Sequence, residues 1–440
     1  MKKSNKKILI VDNAHHADLI ANDERSSNYS IELAHSGEEC LEKIKQNFPD
    51  LIFLDLFLSD IHAIDVVKKI KSSFPNKSPA FIVCSAYPIV QNYNAVMEEG
   101  AVYFLFKPYS IDKAYRLFED FFEGHLKPDP FPFDKNEVDF EPFSVPSNLP
   151  SYIKLWGTRG STAVSGSEYS RYGGHTSCLE VRDGHDFLII DAGTGIRNLG
   201  RMVDKKYKKI TILLSHTHLD HVVGLPFFPP IYDPDCEIDI WAPSGFEKSL
   251  ETVFMDMLAY TLFPVRLEDI QATLNFKTLS PSVVIEIGSL KVYSHYVNHP
   301  GPTLGFKIKS KNKIFAYITD NEVLPGYLGH PNDITIDDDK MSLHRSLINF
   351  LKDCNFIIHE AQYAPLEYAT KMGWGHSSTS NASLFIKFTE IKKWYVTHHD
   401  PTHTDENLMY KSIYHTKLLN LCDINCELEM AYDGLVIPLD

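Results

Sequence analysis

The sequence predicts an α/β protein of two successive domains, a doubly wound parallel sheet over residues 1–124 and a helix-flanked two-sheet sandwich over 151–440. Three observations predict it. The chain has 440 residues, too many for one ordinary core and enough for two. Short apolar runs alternate with helical patterns up to residue 124. Beyond Tyr152 strand-like segments succeed one another, and a proline-rich interval separates the two textures.

In the first part, KILIV at 7–11, LIFLDL at 51–56, FIVCSA at 81–86 and VYFLFK at 102–107 are the runs expected of strands buried on both faces. Gly37–Gln46 and Ile64–Ile70 place their apolar residues at helical spacing between them. Such alternation implies a parallel sheet with helices on both sides. The segment for the first helix, His15–Asn28, is short and polar. Residues 125–150 carry repeated prolines without helical period and read as a semi-extended linker. In the second part IKLWG, CLEV, FLIIDA, ITILLS, EIDIWA, KVYSHYV, GFKIK and KIFAYITD read as strands.

Composition narrows the function classes. With 44% hydrophobic and 23% charged residues the chain is an ordinary soluble protein. Its formal net charge of −15 and the lack of any run of five Lys or Arg argue against a large nucleic acid as partner. Small anions remain open, because bound metal ions reverse the field within a site. The seven cysteines are scattered without a Cys-x-x-Cys pair, which predicts free thiols in a reducing compartment. Cys422 and Cys426 could share a helix face, with packing the favoured reading. ILIV after MKKSNKK is too short for a signal-peptide core, and no stretch approaches 18 apolar residues. A cytoplasmic protein without membrane spans is expected.

The chemistry-bearing signal is Ser-His216-Thr-His218-Leu-Asp220-His221, directly after the strand ITILL. It puts four ligating groups on one strand-to-loop turn, and imidazole with carboxylate suits Zn²⁺, with Mn²⁺ or Fe²⁺ as alternatives. One loop cannot close two metal shells. Further ligand-type residues follow later apolar runs: His299 in Val-Asn-His-Pro-Gly, Asp320 after Tyr-Ile-Thr, and His398-His399 after Trp-Tyr-Val-Thr.

This pattern resembles the metallo-β-lactamase superfamily over 152–440, which implies an αββα sandwich. The resemblance assigns His216, His218 and His299 to one divalent ion and Asp220, His221 and His398 to a second, with Asp320 bridging. It favours His398 over His399. Gly157-Thr-Arg-Gly-Ser161, Tyr172-Gly-Gly-His-Thr-Ser-Cys178, Ile190-Asp-Ala-Gly-Thr-Gly195, Ile358-His-Glu-Ala361 and Gly375-His-Ser-Ser378 look like the branch of ribonuclease Z and the PhnP-type phosphodiesterases. In that branch the histidine matching His376 lies near the scissile phosphate, assisted by the acid matching Glu360. His175 stands where relatives often carry Asn.

Two metal ions lower the pKa of a shared water and neutralise a phosphoryl oxygen. Hydrolysis of a small phosphodiester, with Asp320, His376 and Glu360 as catalytic groups, is therefore the expected reaction. A cyclic nucleotide or cyclic dinucleotide is the preferred substrate class. His218 stands where flavodiiron relatives carry Glu, which argues against redox chemistry. The short interval between His299 and Asp320 leaves no room for the arm with which tRNA-processing relatives grip RNA. The aromatic-rich stretch between His221 and His299 (Phe227, Phe228, Tyr232, Phe254, Tyr260 and Phe263 among others) offers either core or a pocket wall. Alternatives are a lactone or thioester hydrolase and, from another class, a non-catalytic ligand-binding adaptor. The full ligand set speaks against the adaptor.

Residues 7–124 resemble response-regulator receiver domains. Asp12 follows the first strand, Asp55 ends the strand at 51–56, Ser85 ends the next, and Lys107-Pro108 ends the last. The resemblance makes Asp55 the phosphoacceptor, with Asp12, Asn13, Ser85 and Lys107 forming its pocket around Mg²⁺ and a sensor histidine kinase as partner. Asn13 departs from the usual second acid and removes one anionic Mg²⁺ ligand. By the same analogy the protein is expected to be a homodimer.

Overall fold

The computed structural model describes residues 6–12, 16–56, 58, 60–75, 77–85, 96–106, 109, 111–127, 149–245 and 247–439. The chain divides into two compact units, Met1–Val138 and Asp139–Asp440. The proline-rich interval expected as a linker lies mostly outside the described residues, as do Asn13 and Lys107.

The first unit holds one five-stranded sheet of β1 (Lys7–Val11), β2 (Ser30–Ala34), β3 (Leu51–Asp55), β4 (Ala80–Ser85) and β5 (Tyr103–Phe106). The strands lie in the order β2-β1-β3-β4-β5, every pairing parallel. Side chains alternate between faces, so Leu9, Val11, Ile52 and Leu54 pack with Cys40, Ile44, Val66 and Ile70 of helices Gly37–Gln46 and Ala63–Ser73. Ile8, Ile10, Leu51 and Phe53 face Tyr115, Leu117 and Phe118 of helix Ile111–Glu123 on the other side. Both faces are covered, which is why the strands read as unbroken apolar runs. The first helix is shorter than the expected His15–Asn28: it spans His16–Ala21, and a 3₁₀ turn at Glu24–Asn28 follows. Asp23 enforces the break, accepting from the Arg25 amide at 3.0 Å.

Two seven-stranded sheets form the second unit. The first comprises β6 (Ser151–Gly157), β7 (Cys178–Asp183), β8 (Asp186–Ile190), β9 (Lys209–Leu213), β10 (Glu237–Pro243), β11 (Thr273–Leu279) and the last strand, β19 (Val436–Pro438). The second runs from β12 (Ile285–Ile287) through β13 (Leu290–Tyr296), β14 (Leu304–Lys309), β15 (Ile314–Ile318), β16 (Phe356–Glu360) and β17 (Lys393–Thr397) to β18 (Glu427–Met430), its strands neighbouring in that order. Leu155, Leu188 and Ile190 of the first sheet pack with Phe306, Phe315 and Ile358 of the second between the layers. The alternate residues Trp156, Ile189 and Ile212 face a helical layer that includes Ile196 and Leu199. Ile318, Ile357, Trp394 and Val396 face helices Thr379–Thr389 and Asp405–Leu421. This is the four-layer αββα arrangement. The interval between His299 and Asp320 is filled by the β14–β15 hairpin.

All seven cysteines are free. Cys422 and Cys426 do not share a helix face, because the helix ends at Leu421 and Cys422 is its cap. Among the described residues no helix is long and apolar enough to cross a membrane.

Candidate metal centre

The candidate ligands sit where strands end. β8 and β9 run parallel, as do β15, β16 and β17. β13 is antiparallel to β14 and β14 to β15, so β13 runs the same way as β15. Within each sheet the residues after these strands therefore emerge on one side: Asp191 after β8 and His216 after β9 in the first, His299 after β13, Asp320 after β15 and His398 after β17 in the second. The carboxyl ends of such strands are where open α/β sheets bind ligands.

Three overlapping groups have ligating atoms within 4.8 Å of one another: His216, His218, His299 and Asp320; Asp220, His221 and His398; and Asp320, His376 and His398. Asp320 faces two ways. Its Oδ2 lies 3.6 Å from Nε2 of both His216 and His299, and its Oδ1 lies 3.3 Å from His221 Nε2 and 3.2 Å from His398 Nε2. Asp220 Oδ2 adds contacts of 3.3 and 3.2 Å to the same two nitrogens of His221 and His398. The Ser161 amide donates to that oxygen at 2.8 Å.

The partners of the opposite ring nitrogens fix where each lone pair points. His221 Nδ1 donates to Asp191 Oδ2 at 2.9 Å, and His299 Nδ1 donates to the Gly375 carbonyl at 2.9 Å. His398 Nδ1 donates to Gln362 Oε1 at 3.0 Å. With their protons there, all three rings present bare Nε2 lone pairs inward. Two such lone pairs, on His221 and His398, stand only 3.3 Å apart. His216 Nε2 and Asp320 Oδ1 are buried without a hydrogen-bond partner. Buried polar atoms of this kind are normally satisfied, and a pair of divalent cations would satisfy them. The donor set fits the metals that the fold family implies.

Burial would lower His221, but the carboxylates of Asp220, Asp320 and Asp191 hold it well above its ordinary value, the positive charge that a cation between them would replace. Burial, reinforced by His221, pushes His216 well below its ordinary value, so the ring is neutral as a ligand must be. Burial would raise Asp320, but His398, His221 and His216 hold it well below the usual carboxylate range. His398 and Asp191 have left-handed backbones, φ 54° and 63°, which few residues other than glycine adopt. A Cβ on Gly160 would lie 2.3 Å from His398 Nδ1, so that position must be glycine for the ring to fit.

The remaining candidates fall as follows. His376 Nε2 lies 3.9 Å from Asp320 Oδ2, and burial pushes this histidine down to about 3. Glu360 does not bond the His376 ring, whose Nδ1 has no partner. Its carboxylate accepts instead from the backbone amides of Ser377 at 2.6 Å and Gln362 at 2.7 Å, so it braces the His376 loop from behind. His399 turns away to the Ala431 carbonyl at 2.8 Å. His175 is held by Thr194 at 3.3 Å and Asn198 at 3.0 Å. Phe228 and Phe254 are core, whereas Phe227 and Tyr260 are exposed. Asp191 and Gln362, which orient His221 and His398, had no assigned role from sequence. The one available signal was an Asp directly after an apolar strand in Ile190-Asp-Ala-Gly.

In the first unit, Asp12, Asp55 and Ser85 are buried at the carboxyl ends of the adjacent strands β1, β3 and β4.

Residues 8–118 match the model of the response regulator receiver domain, and residues 187–399 match that of the beta-lactamase superfamily domain. Ribonuclease Z of Lactobacillus helveticus is 20% identical over 248 residues, 49% of this chain and 77% of that protein. Ribonuclease Z of Treponema denticola is 22% identical over 313 residues, covering 58% and 92%. The crystal structure of the metallo-beta-lactamase fold protein YhfI from Bacillus subtilis aligns with a TM-score of 0.46 at 16% identity, covering 66% of this chain and 99% of that one. The chain thus joins a response regulator receiver domain to a domain of the β-lactamase fold.

Proposed function

We propose that the carboxy-terminal domain is a two-metal phosphodiesterase acting on a small phosphodiester, with a cyclic nucleotide or cyclic dinucleotide as substrate class and zinc as the ion. The observation that carries this reading is the two-way carboxylate of Asp320, which faces His216 and His299 with one oxygen and His221 and His398 with the other. When bound, two ions supply an activated water and neutralise the phosphoryl group. His216, His218 and His299 would hold one ion, Asp220, His221 and His398 the other, and Asp320 would bridge. His376 holds its Nε2 next to Asp320, placed as a neutral ring to give a hydrogen bond to the leaving oxygen. Glu360 acts on His376 through the Ser377 amide, a positioning role. The short β14–β15 hairpin and the net charge of −15 favour a small substrate over a structured RNA.

The test is a panel of bis(p-nitrophenyl) phosphate, cyclic mono- and dinucleotides, a precursor tRNA, a lactone and a thioester. Each is offered to metal-loaded and chelator-stripped protein. Metal-dependent turnover of the small phosphodiesters is expected. Silence on every phosphodiester with turnover of the lactone or thioester would overturn the reaction class. Turnover of the precursor tRNA alone would overturn the substrate class.

We further propose that the receiver domain regulates this activity through phosphorylation of Asp55 by a sensor histidine kinase. Its burial beside Asp12 and Ser85 supports this. Incubation with acetyl phosphate and Mg²⁺ is expected to add one phosphoryl mass, absent in Asp55→Asn. No added mass in the native protein would make the domain a docking surface instead.

A further inference from the structure

Trp374 is 61% exposed, whereas Trp156 and Trp394 are buried. Its exposure is built. Gly373 and Gly375 on either side have φ of +81° and +87°, a backbone that glycine adopts without penalty. The buried carboxylate of Glu322 clamps the turn, accepting from the Gly373 amide at 2.8 Å and the Gly375 amide at 3.0 Å. The Tyr368 hydroxyl donates to the same carboxylate at 2.7 Å. One buried charge is thus committed to holding the two residues that present the indole.

The turn abuts the metal centre. The Gly375 carbonyl orients His299, and a Cβ at 375 would lie 2.1 Å from His299 Nδ1. Trp374 is two residues from His376, a span of at most about 7 Å. Lys371, held by Asp400 at 3.1 Å, places its ammonium 5.9 Å from the indole centroid and adds positive charge beside it. Leu219, between His218 and Asp220, is likewise exposed, at 65%.

We infer that Trp374 is a stacking platform for a nucleobase of the substrate, so that the enzyme prefers nucleoside phosphodiesters to phosphodiesters of simple alcohols. This rests on the phosphodiesterase reading above. Every base has a π-face, and tryptophan offers a large rigid one next to a phosphate-binding site. A base stacked away from the reacting phosphorus is held alike in ground and transition states, so the contact registers in KM and not in kcat.

The test compares metal-loaded native protein with Trp374→Ala and Trp374→Phe. The substrates are 3′,5′-cyclic AMP and cyclic di-AMP against glycerophosphocholine, which has no ring to stack. Trp374→Ala is expected to raise KM for the nucleotides roughly tenfold, with kcat little changed and glycerophosphocholine unaffected. Trp374→Phe recovers most of the loss. Independently of turnover, adenosine 5′-monophosphate should quench tryptophan emission where ribose 5-phosphate does not, and Trp374→Ala should abolish that quench. An equal rise of KM on both substrate types, or quenching that survives in Trp374→Ala, overturns the platform. Quenching through Trp374 with no phosphodiester turned over keeps the platform and removes the phosphodiesterase reading. Nucleotide turnover indifferent to residue 374 does the reverse.

Discussion

Asp191 Oδ2 stands 2.9 Å from His221 Nδ1, so that among the described residues His221 is the candidate ligand whose outer nitrogen is held by a carboxylate. The same carboxylate accepts from the Ser215 amide at 2.8 Å, the Ser215 hydroxyl at 3.1 Å and the Tyr317 hydroxyl at 3.2 Å. It is fully buried, and its backbone lies at φ 63°. A strained, buried acid tied by this many donors is a support for the ring it faces.

Asp191→Asn tests this support. Asparagine tolerates the left-handed backbone and keeps the shape, but it removes the charge that raises the basicity of His221. Affinity for one ion is expected to fall about 10- to 100-fold, while the ion at His216, His218 and His299 is held as before. Zinc titration against a chromophoric chelator reads both sites. Two unchanged affinities would show that Asp191 is ordinary core.

His376 belongs geometrically to two descriptions, since its ring lies near Asp320 and His398 as a third ligand would and near the reacting centre as a hydrogen-bond donor would. His376→Ala separates them. Loss of a hydrogen-bond donor to the developing charge lowers kcat by about 10²- to 10³-fold with two ions still bound. Metal content falling in step with activity would make His376 a ligand instead.

The candidate ligands stand out in the sequence as ligand-type residues between apolar runs and breakers, and the resemblance selects among them, as it does His398 over His399. Their supports do not stand out. Asp191 meets His221 only when β8 lies beside β9, and Gln362 meets His398 only when β16 lies beside β17. Glu322, the clamp of the Trp374 turn, is likewise remote in sequence from the glycines it holds. Strands read well where both faces are buried, as in β1 and β3, and badly at sheet edges. β2 and β11 are edge strands whose half-exposed residues break the apolar run. Glu360 shows the limit of resemblance: the residue is where the motif puts it, yet its bonds go to amides and not to the imidazole.

Glu360→Gln follows from that geometry. Each carboxylate oxygen accepts one amide, and a glutamine can offer one oxygen only, turning its NH₂ toward the other N–H. One buried donor is left unsatisfied, which costs about 1–3 kcal/mol. Chemical denaturation should register the loss. kcat is expected to fall with it, because the Ser377 amide no longer fixes the His376 loop, while zinc content stays the same. Native stability in this variant would remove Glu360 from its bracing role.

Acid sensitivity has an identifiable contribution away from the metal ligands. Burial holds His344 down to about 4, and its Nε2 accepts from the Leu324 amide at 3.0 Å, which only the neutral ring can do. His359 is likewise lowered to about 4 by burial, against the opposing pull of the Glu360 carbonyl. Both ordinary values are 6.5. Between pH 6.5 and 4 the unfolded chain takes up protons at these sites and the folded chain does not. Stability therefore rises with pH across that window and is lost as pH falls through it, by up to about 3 kcal/mol for each ring. His344→Gln keeps an acceptor for the Leu324 amide and removes the titration. Its unfolding free energy, measured from pH 7 to 4, should fall less steeply than that of the native protein, so that the difference between the two shifts in favour of the variant as acid is added. Parallel curves would mean that His344 is protonated in the folded state and that its burial does not hold it neutral.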